Sequence, residues 1–222
     1  MITKLVFEET VLMVVMAAAL FASAGTFDWP AAWLFLGEFA VLSLAVAAWM
    51  ARYDPALLAE RLSSPIQANQ KAWDRLFIIC VGLGFVGWLV LMGLDARFQW
   101  SRVPTWAQVA GAAGLAAAFA VAWATFRENG YAAAVVKVQA GQTVIDTGPY
   151  RLVRHPLYFG AMLFFAGTAL MLGSWWGLAG GLLLTLLVAV RAVGEEQVLR
   201  RELAGYEDYA ARVRYRLVPG VW

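Results

Sequence analysis

Two short stretches of this sequence bring together residue types capable of chemistry. The first is Thr147-Gly148-Pro149-Tyr150-Arg151-Leu152-Val153-Arg154-His155-Pro156-Leu157-Tyr158-Phe159-Gly160, and the second is Arg191 followed by Glu195-Glu196. Pro156 stands where an apolar helix begins at Leu157, which suits the first helical position and makes His155 the flanking cap residue. The free N–H groups and partial positive charge of a helix start form a seat for an anion such as a cofactor carboxylate, and Arg154 adds a second cationic element. Arg191 and Glu195 are four residues apart and share a helical face. An acidic pair accepts hydrogen bonds from a ribose diol and favours a nearby sulfonium cation. Plainer roles stand beside these: Gly148-Pro149 as a turn, His155 as a cap, and Arg191 with Glu195 as an ion pair anchoring a helix end. Farther on, Tyr206 and Tyr209 follow Gly205 in a polar, aromatic stretch that either closes over an adenosine-sized group or lies against headgroups.

The elements that position these residues are written in the hydropathy. Of 222 residues, 62% are hydrophobic and only 14% charged, against about 25% charged in soluble domains. Such a chain has lipid as its solvent. Crossing the hydrocarbon layer takes about 20 apolar residues in a helix, since unpaired backbone groups are not tolerated there. Six stretches qualify: 5–24, 29–50, 76–94, 104–126, 157–172 and 175–193. The expectation is an all-α integral membrane protein of about six transmembrane helices, with a C-terminal cytoplasmic helical cofactor-binding region. The last two spans are separated only by Gly173-Ser174, so they form a tight hairpin. That places the start of the fifth span beside the end of the sixth, and the two chemistry-bearing stretches in one pocket.

Most Lys and Arg fall in alternate loops, with only Arg97 and Arg102 on the other side, so both termini are expected in the cytoplasm. Tryptophans near the span ends, such as Trp49, Trp100 and Trp175, fit an interfacial belt. Lys4, the apolar run 11–20 and Ala22-Ser23-Ala24 imitate a secretory signal, but Glu8 and Glu9 sit where such a signal is basic, so a retained anchor is expected. Gly111 with Gly114 and Gly177 with Gly180-Gly181 allow close helix contact. Glu38, the only acid deep within a span, needs a partner or a cavity. The lone Cys80 makes no internal disulfide and the lone His155 no histidine metal cluster, so no metal is expected. A net charge of +2 spread between apolar blocks leaves no footprint for nucleic acid. Two regions emerge: 1–126, with an interfacial helix near 55–62 opened by Asp54-Pro55, and 127–222. The β-branched residues around 135–138 and 143–145 suggest extended or hairpin structure.

Gly148-Pro149-Tyr150, Arg154-His155-Pro156-Leu157-Tyr158-Phe159-Gly160 and Glu195-Glu196 with Gly205-Tyr206 and Tyr209, in this order, resemble the isoprenylcysteine carboxyl methyltransferase family, which is related to the phospholipid methyltransferases. The resemblance covers roughly 127–219. It implies a methyltransferase using S-adenosylmethionine, with His155, Tyr158, Gly160, Glu195 and Glu196 contacting the cofactor and Tyr150, Arg154, Pro156, Tyr206 and Tyr209 close by. It also implies a lipophilic small-molecule or lipidated acceptor that enters from the membrane lipids. The segment Arg127-Glu128-Asn129-Gly130-Tyr131 runs into the bland Ala132-Ala133-Ala134, which leaves the acceptor open. A bacterial inner membrane, where prenylated proteins are not expected, suits the topology.

Methyl transfer from a sulfonium asks mainly for alignment and exclusion of water. A carboxylate acceptor needs a cation, for which Arg191 and then Arg127 are the candidates; an amine or thiol needs a base, for which Glu195 or Glu196 is placed. Two rivals remain: an NADPH-dependent sterol-reductase-like enzyme, whose usual ten spans exceed this chain, and a non-enzymatic lipid-binding membrane protein.

Overall fold

The computed structural model describes residues 1–64, 66–67 and 70–222, and the regular structure in them is helical. The helices are α1 (Ile2–Ala24), α2 (Pro30–Tyr53), α3 (Pro55–Arg61), α4 (Ala72–Phe98), α5 (Thr105–Glu128), α6 (Pro156–Met171), α7 (Trp175–Glu202) and α8 (Tyr206–Arg212), with a 3-10 turn at Gly148–Arg151. Five of them, α1, α2, α4, α5 and α7, are long and apolar enough to cross a membrane, and the 16-residue α6 is a shorter apolar helix among them. Large apolar side chains such as Phe7, Leu34, Leu83, Trp106, Leu183 and Val190 point outward, the surface expected where hydrocarbon replaces water.

Local chemistry sets the helix ends. Pro30, Pro55 and Pro156 each occupy a first-turn position, where the missing N–H costs nothing. Asp54 caps α3 by accepting from Leu57 N at 3.0 Å, and Ser174 caps α7 by accepting from Gly177 N at 2.7 Å. Gly25 ends α1 in the left-handed conformation.

A core of Met16, Leu20, Phe35, Trp88, Leu89, Met92, Leu115 and Phe165 joins α1, α2, α4, α5 and α6. The tightest seam lies between α5 and α6. A Cβ at Gly111 would sit 2.4 Å from Met171 N, and one at Gly167 would sit 2.7 Å from Leu115 N, so the two backbones touch only because both positions lack a side chain. Where α6 turns into α7, the buried Asp95 accepts from Ser101 N at 2.8 Å and from the Ser174 hydroxyl, which ties the hairpin to the end of α4.

α7 runs nine residues beyond the expected end of the sixth span, to Glu202, for a length of about 42 Å at 1.5 Å per residue. Hydropathy stops at Val193, but the helix continues on good helix formers such as Glu, Gln, Leu and Arg. The segment between α5 and α6, where extended or hairpin structure was expected, is non-helical up to the 3-10 turn, and no hairpin strands form in it among the described residues. Its backbone groups find side chains rather than a partner strand, with Val136 N donating to Asp74 Oδ2 at 3.0 Å and Ala134 O accepting from Arg191 Nη2 at 2.8 Å. Glu38 is half-buried on α2.

Candidate active site

The loop that enters α6 and the extension that leaves α7 lie against each other. Gly148, at φ 53°, starts the approach; a Cβ there would stand 2.4 Å from Glu128 Cγ, so both the left-handed backbone and the close fit require glycine. The chain then makes its 3-10 turn and reaches Arg154 and His155, whose backbone N–H groups donate to Tyr215 O and Arg216 O, each at 2.9 Å. The C-terminal tail therefore fixes the two residues that precede α6.

His155 is the residue before α6, yet its side chain caps nothing. The ring turns instead to the acids of α7, with Nε2 3.3 Å from Glu196 Oε1 and Nδ1 3.8 Å from Glu195 Oε2. It stacks on the Tyr158 ring at 5.3 Å between centroids, one helical turn on. Arg154 Nε donates to Glu196 Oε1 at 2.7 Å, and Arg216 Nε donates to Glu196 Oε2 at 3.2 Å. Arg154 Nη1 also donates to Val213 O at 2.9 Å. Glu196 is only 3% exposed, and these donors together offset the cost of removing a carboxylate from water.

Glu195 has a different position. It accepts from the Tyr158 hydroxyl at 2.5 Å, and that hydroxyl accepts from Arg191 Nη1 at 3.0 Å. Arg191 Nε donates to Asp74 Oδ1 at 2.9 Å. Asp74 is fully buried and also accepts from Gln70 Nε2 at 2.8 Å. A chain of contacts therefore runs from α4 through Arg191 and Tyr158 to Glu195.

These groups surround a cavity of about 260 Å³. Tyr150, Arg154, His155, Pro156, Tyr158, Arg191, Glu195, Tyr206 and Tyr209 all line it. Glu196 lies behind it and holds Arg154 and His155. Gly160 faces a neighbouring apolar cavity, with a Cβ position 3.3 Å from Ala118 O. Arg127 stands away from both, exposed, beside Glu128 and 5.1 Å over the Trp123 ring.

The tyrosines form the far wall. Tyr209 donates to Tyr150 O at 2.9 Å, and Tyr150 OH accepts from Asn129 Nδ2 at 2.8 Å. Tyr206 is 4% exposed and its buried hydroxyl has no hydrogen-bond partner among the described residues. Burial pushes the hydroxyls of Tyr150, Tyr206 and Tyr209 well above the usual tyrosine range, so all three stay neutral and keep a proton to donate.

Three participants were not evident from the sequence. Asp74 is the first-turn acid of α4, and only the packing of α4 against α7 sets it on Arg191. Arg216 lay in a tail with no distinguishing pattern. Arg61, at the end of α3, donates from Nη1 to Ala132 O at 3.1 Å and stacks on Phe126 at 4.5 Å; burial and then the nearby Arg191 push its guanidinium down to about 10, still charged at neutral pH.

No curated protein matches the chain. Residues 106–204, from the first turn of α5 to just past α7, match the phospholipid methyltransferase family model, the family to which the motif-based resemblance is related.

Proposed function

We propose that this chain is a membrane methyltransferase that uses S-adenosylmethionine to methylate a lipophilic acceptor, with carboxylate O-methylation favoured and an amine or thiol acceptor as the alternative. The observation that carries the reading is the cavity wall itself. A carboxylate at Glu195, cations at Arg154 and Arg191, and a buried Tyr206 hydroxyl without a partner among the described residues face one space. An unpaired buried hydroxyl costs about 1–3 kcal/mol, and a polar ligand arriving opposite it removes that cost. The match to a methyltransferase family over 106–204 supports the same reading.

The residues present fit the cofactor. Arg154 and His155, next to the start of α6, suit its carboxylate; Glu195 suits the ribose hydroxyls and the cationic centre; Tyr150, Tyr206 and Tyr209 suit the flat faces and polar edges of an adenosine. When bound, S-adenosylmethionine supplies an electrophilic methyl group on a sulfonium. The protein's share is to orient the partners and shut out water. Arg191 stiffens the wall by holding Tyr158, whose hydroxyl in turn holds Glu195. With a carboxylate acceptor no proton has to be removed. With an amine or thiol, Glu195 is the base that faces the cavity, and Glu196, spent on Arg154 and Arg216, serves as support.

The topology proposed from the charge bias puts this end of the bundle in the cytoplasm, with a bacterial inner membrane as its setting. Calorimetric titration of the purified full chain with S-adenosylhomocysteine and with NADPH tests the reading. Binding of the adenosyl ligand alone is expected. Binding of NADPH alone would favour the reductase rival, and no binding of either would favour a lipid-binding protein.

A further inference from the structure

Next to the polar cavity lies a larger one of about 500 Å³ between α1, α2, α5 and α6, with walls such as Leu12, Phe39, Val46, Phe119 and Phe164. Among the described residues, Arg61 and Leu157 line both spaces. A cation at the mouth between a polar and an apolar chamber suits an amphiphile.

Arg61 differs from the other two arginines of the site. Arg154 and Arg191 are each paired with a buried carboxylate, whereas Arg61 has no carboxylate within salt-bridge distance among the described residues. The adjacent Glu60 is taken by Lys137 at 2.7 Å. Among the described residues, one backbone carbonyl and one aromatic face engage the Arg61 guanidinium, which leaves further donors of a fork that matches a carboxylate. The apolar chamber also carries two acids on another wall, Glu8, which pairs with Lys4 at 3.6 Å, and Glu9, which has no cation partner among the described residues and accepts from the Ser43 hydroxyl. An anionic head is repelled there and drawn to Arg61; a cationic head would be drawn the other way.

Resting on the methyltransferase reading, we infer that Arg61 is the specificity-determining residue for the acceptor, holding the carboxylate head of a single-chain amphiphile at this mouth while its apolar tail occupies the larger cavity.

The test uses the full chain in phosphatidylcholine nanodiscs and a hexadecanoic acid probe bearing a mid-chain diazirine. Photolabelling is expected on residues lining the larger cavity. Unlabelled hexadecanoate should compete about tenfold better than hexadecanol or hexadecylamine, equivalent to about 1.4 kcal/mol. Arg61→Gln should bring that ratio close to one, and Arg61→Lys should retain part of it. Equal competition by the alcohol in the wild type overturns the inference without need of any variant. So does strongest competition by the amine, which would make the Glu8 and Glu9 wall the head site, and so does an unchanged ratio in Arg61→Gln. Titration of the wild type with S-adenosylhomocysteine reports the methyltransferase reading separately, so failure of one is distinguishable from failure of the other.

Discussion

Arg154 Nε and Glu196 Oε1 meet at 2.7 Å with both side chains sealed from solvent. This ion pair joins the residue two before α6 to the C-terminal extension of α7, and Arg216 of the tail completes it from the other oxygen. Removing one partner leaves the other buried and uncompensated, which costs about 3–5 kcal/mol. Glu196→Ala is therefore expected to lower the unfolding temperature and abolish S-adenosylhomocysteine binding together. Glu196→Gln, which retains one acceptor oxygen, should lose less of both. Thermal unfolding in detergent with parallel calorimetry checks it, and an unaltered melting temperature in Glu196→Ala would be inconsistent with the pair as described.

Tyr206 offers the opposite dissociation of stability from binding. Because its hydroxyl has no partner among the described residues, Tyr206→Phe should leave the ligand-free protein as stable as the wild type or more so, while weakening S-adenosylhomocysteine by about 1 kcal/mol, roughly fivefold. Tyr209→Phe, which loses a hydrogen bond to Tyr150 O, should instead cost about 1 kcal/mol of stability with or without ligand. Equal effects on stability in both variants would remove Tyr206 from the ligand site.

Asp74 lies outside the cavity, yet it should matter to activity. Its carboxylate holds Arg191 Nε at 2.9 Å, and Arg191 holds the Tyr158 hydroxyl. Asp74→Asn is expected to reduce kcat more than it raises the cofactor Kd, since Arg154, His155 and the tyrosines remain in place. In a double-mutant comparison, Asp74→Asn and Tyr158→Phe should be clearly non-additive. Simple additivity would mean that no coupling runs along the chain.

The α5–α6 seam gives a packing test. Gly111→Ala drives a methyl into the Met171 backbone and should cost about 1–3 kcal/mol. Gly82→Ala has open space around it and should be neutral or slightly stabilising. Comparable losses in the two variants would mean that glycine is needed for some reason other than close approach.

Fold and site are most legible in the sequence where a single physical rule decides. Hydropathy located the membrane-crossing helices because lipid tolerates no unpaired backbone, and the short turn around Gly173-Ser174 sufficed to bring His155 toward Glu195 and Glu196. Legibility ends where the outcome depends on three-dimensional packing. Nothing local distinguishes Asp74 from any acid that opens a helix, and Arg61 gained its place only when α3 folded under α5. The β-branched residues near 135–138 suggested extended or hairpin structure; no hairpin strands form among the described residues, and backbone bonds of this wall go to Asp74, Arg61 and Arg191. Glu195 and Glu196 read as equals in the sequence. One faces the cavity and its neighbour is consumed in support, because adjacent residues on a helix point about 100° apart.

Under the proposed function, the uninterrupted course of α7, from Trp175 to Glu202, has a consequence for how an acceptor must be built. One stiff rod is embedded in hydrocarbon at one end and carries Arg191, Glu195 and Glu196 near the other, so their height relative to the acyl chains is fixed like a mark on a gauge. Reach is then demanded of the acceptor. Molecules whose reactive group lies too deep or too far out must bend or rise to that mark, and the spacing between an acceptor's reactive atom and its greasy anchor becomes a criterion of selection in its own right.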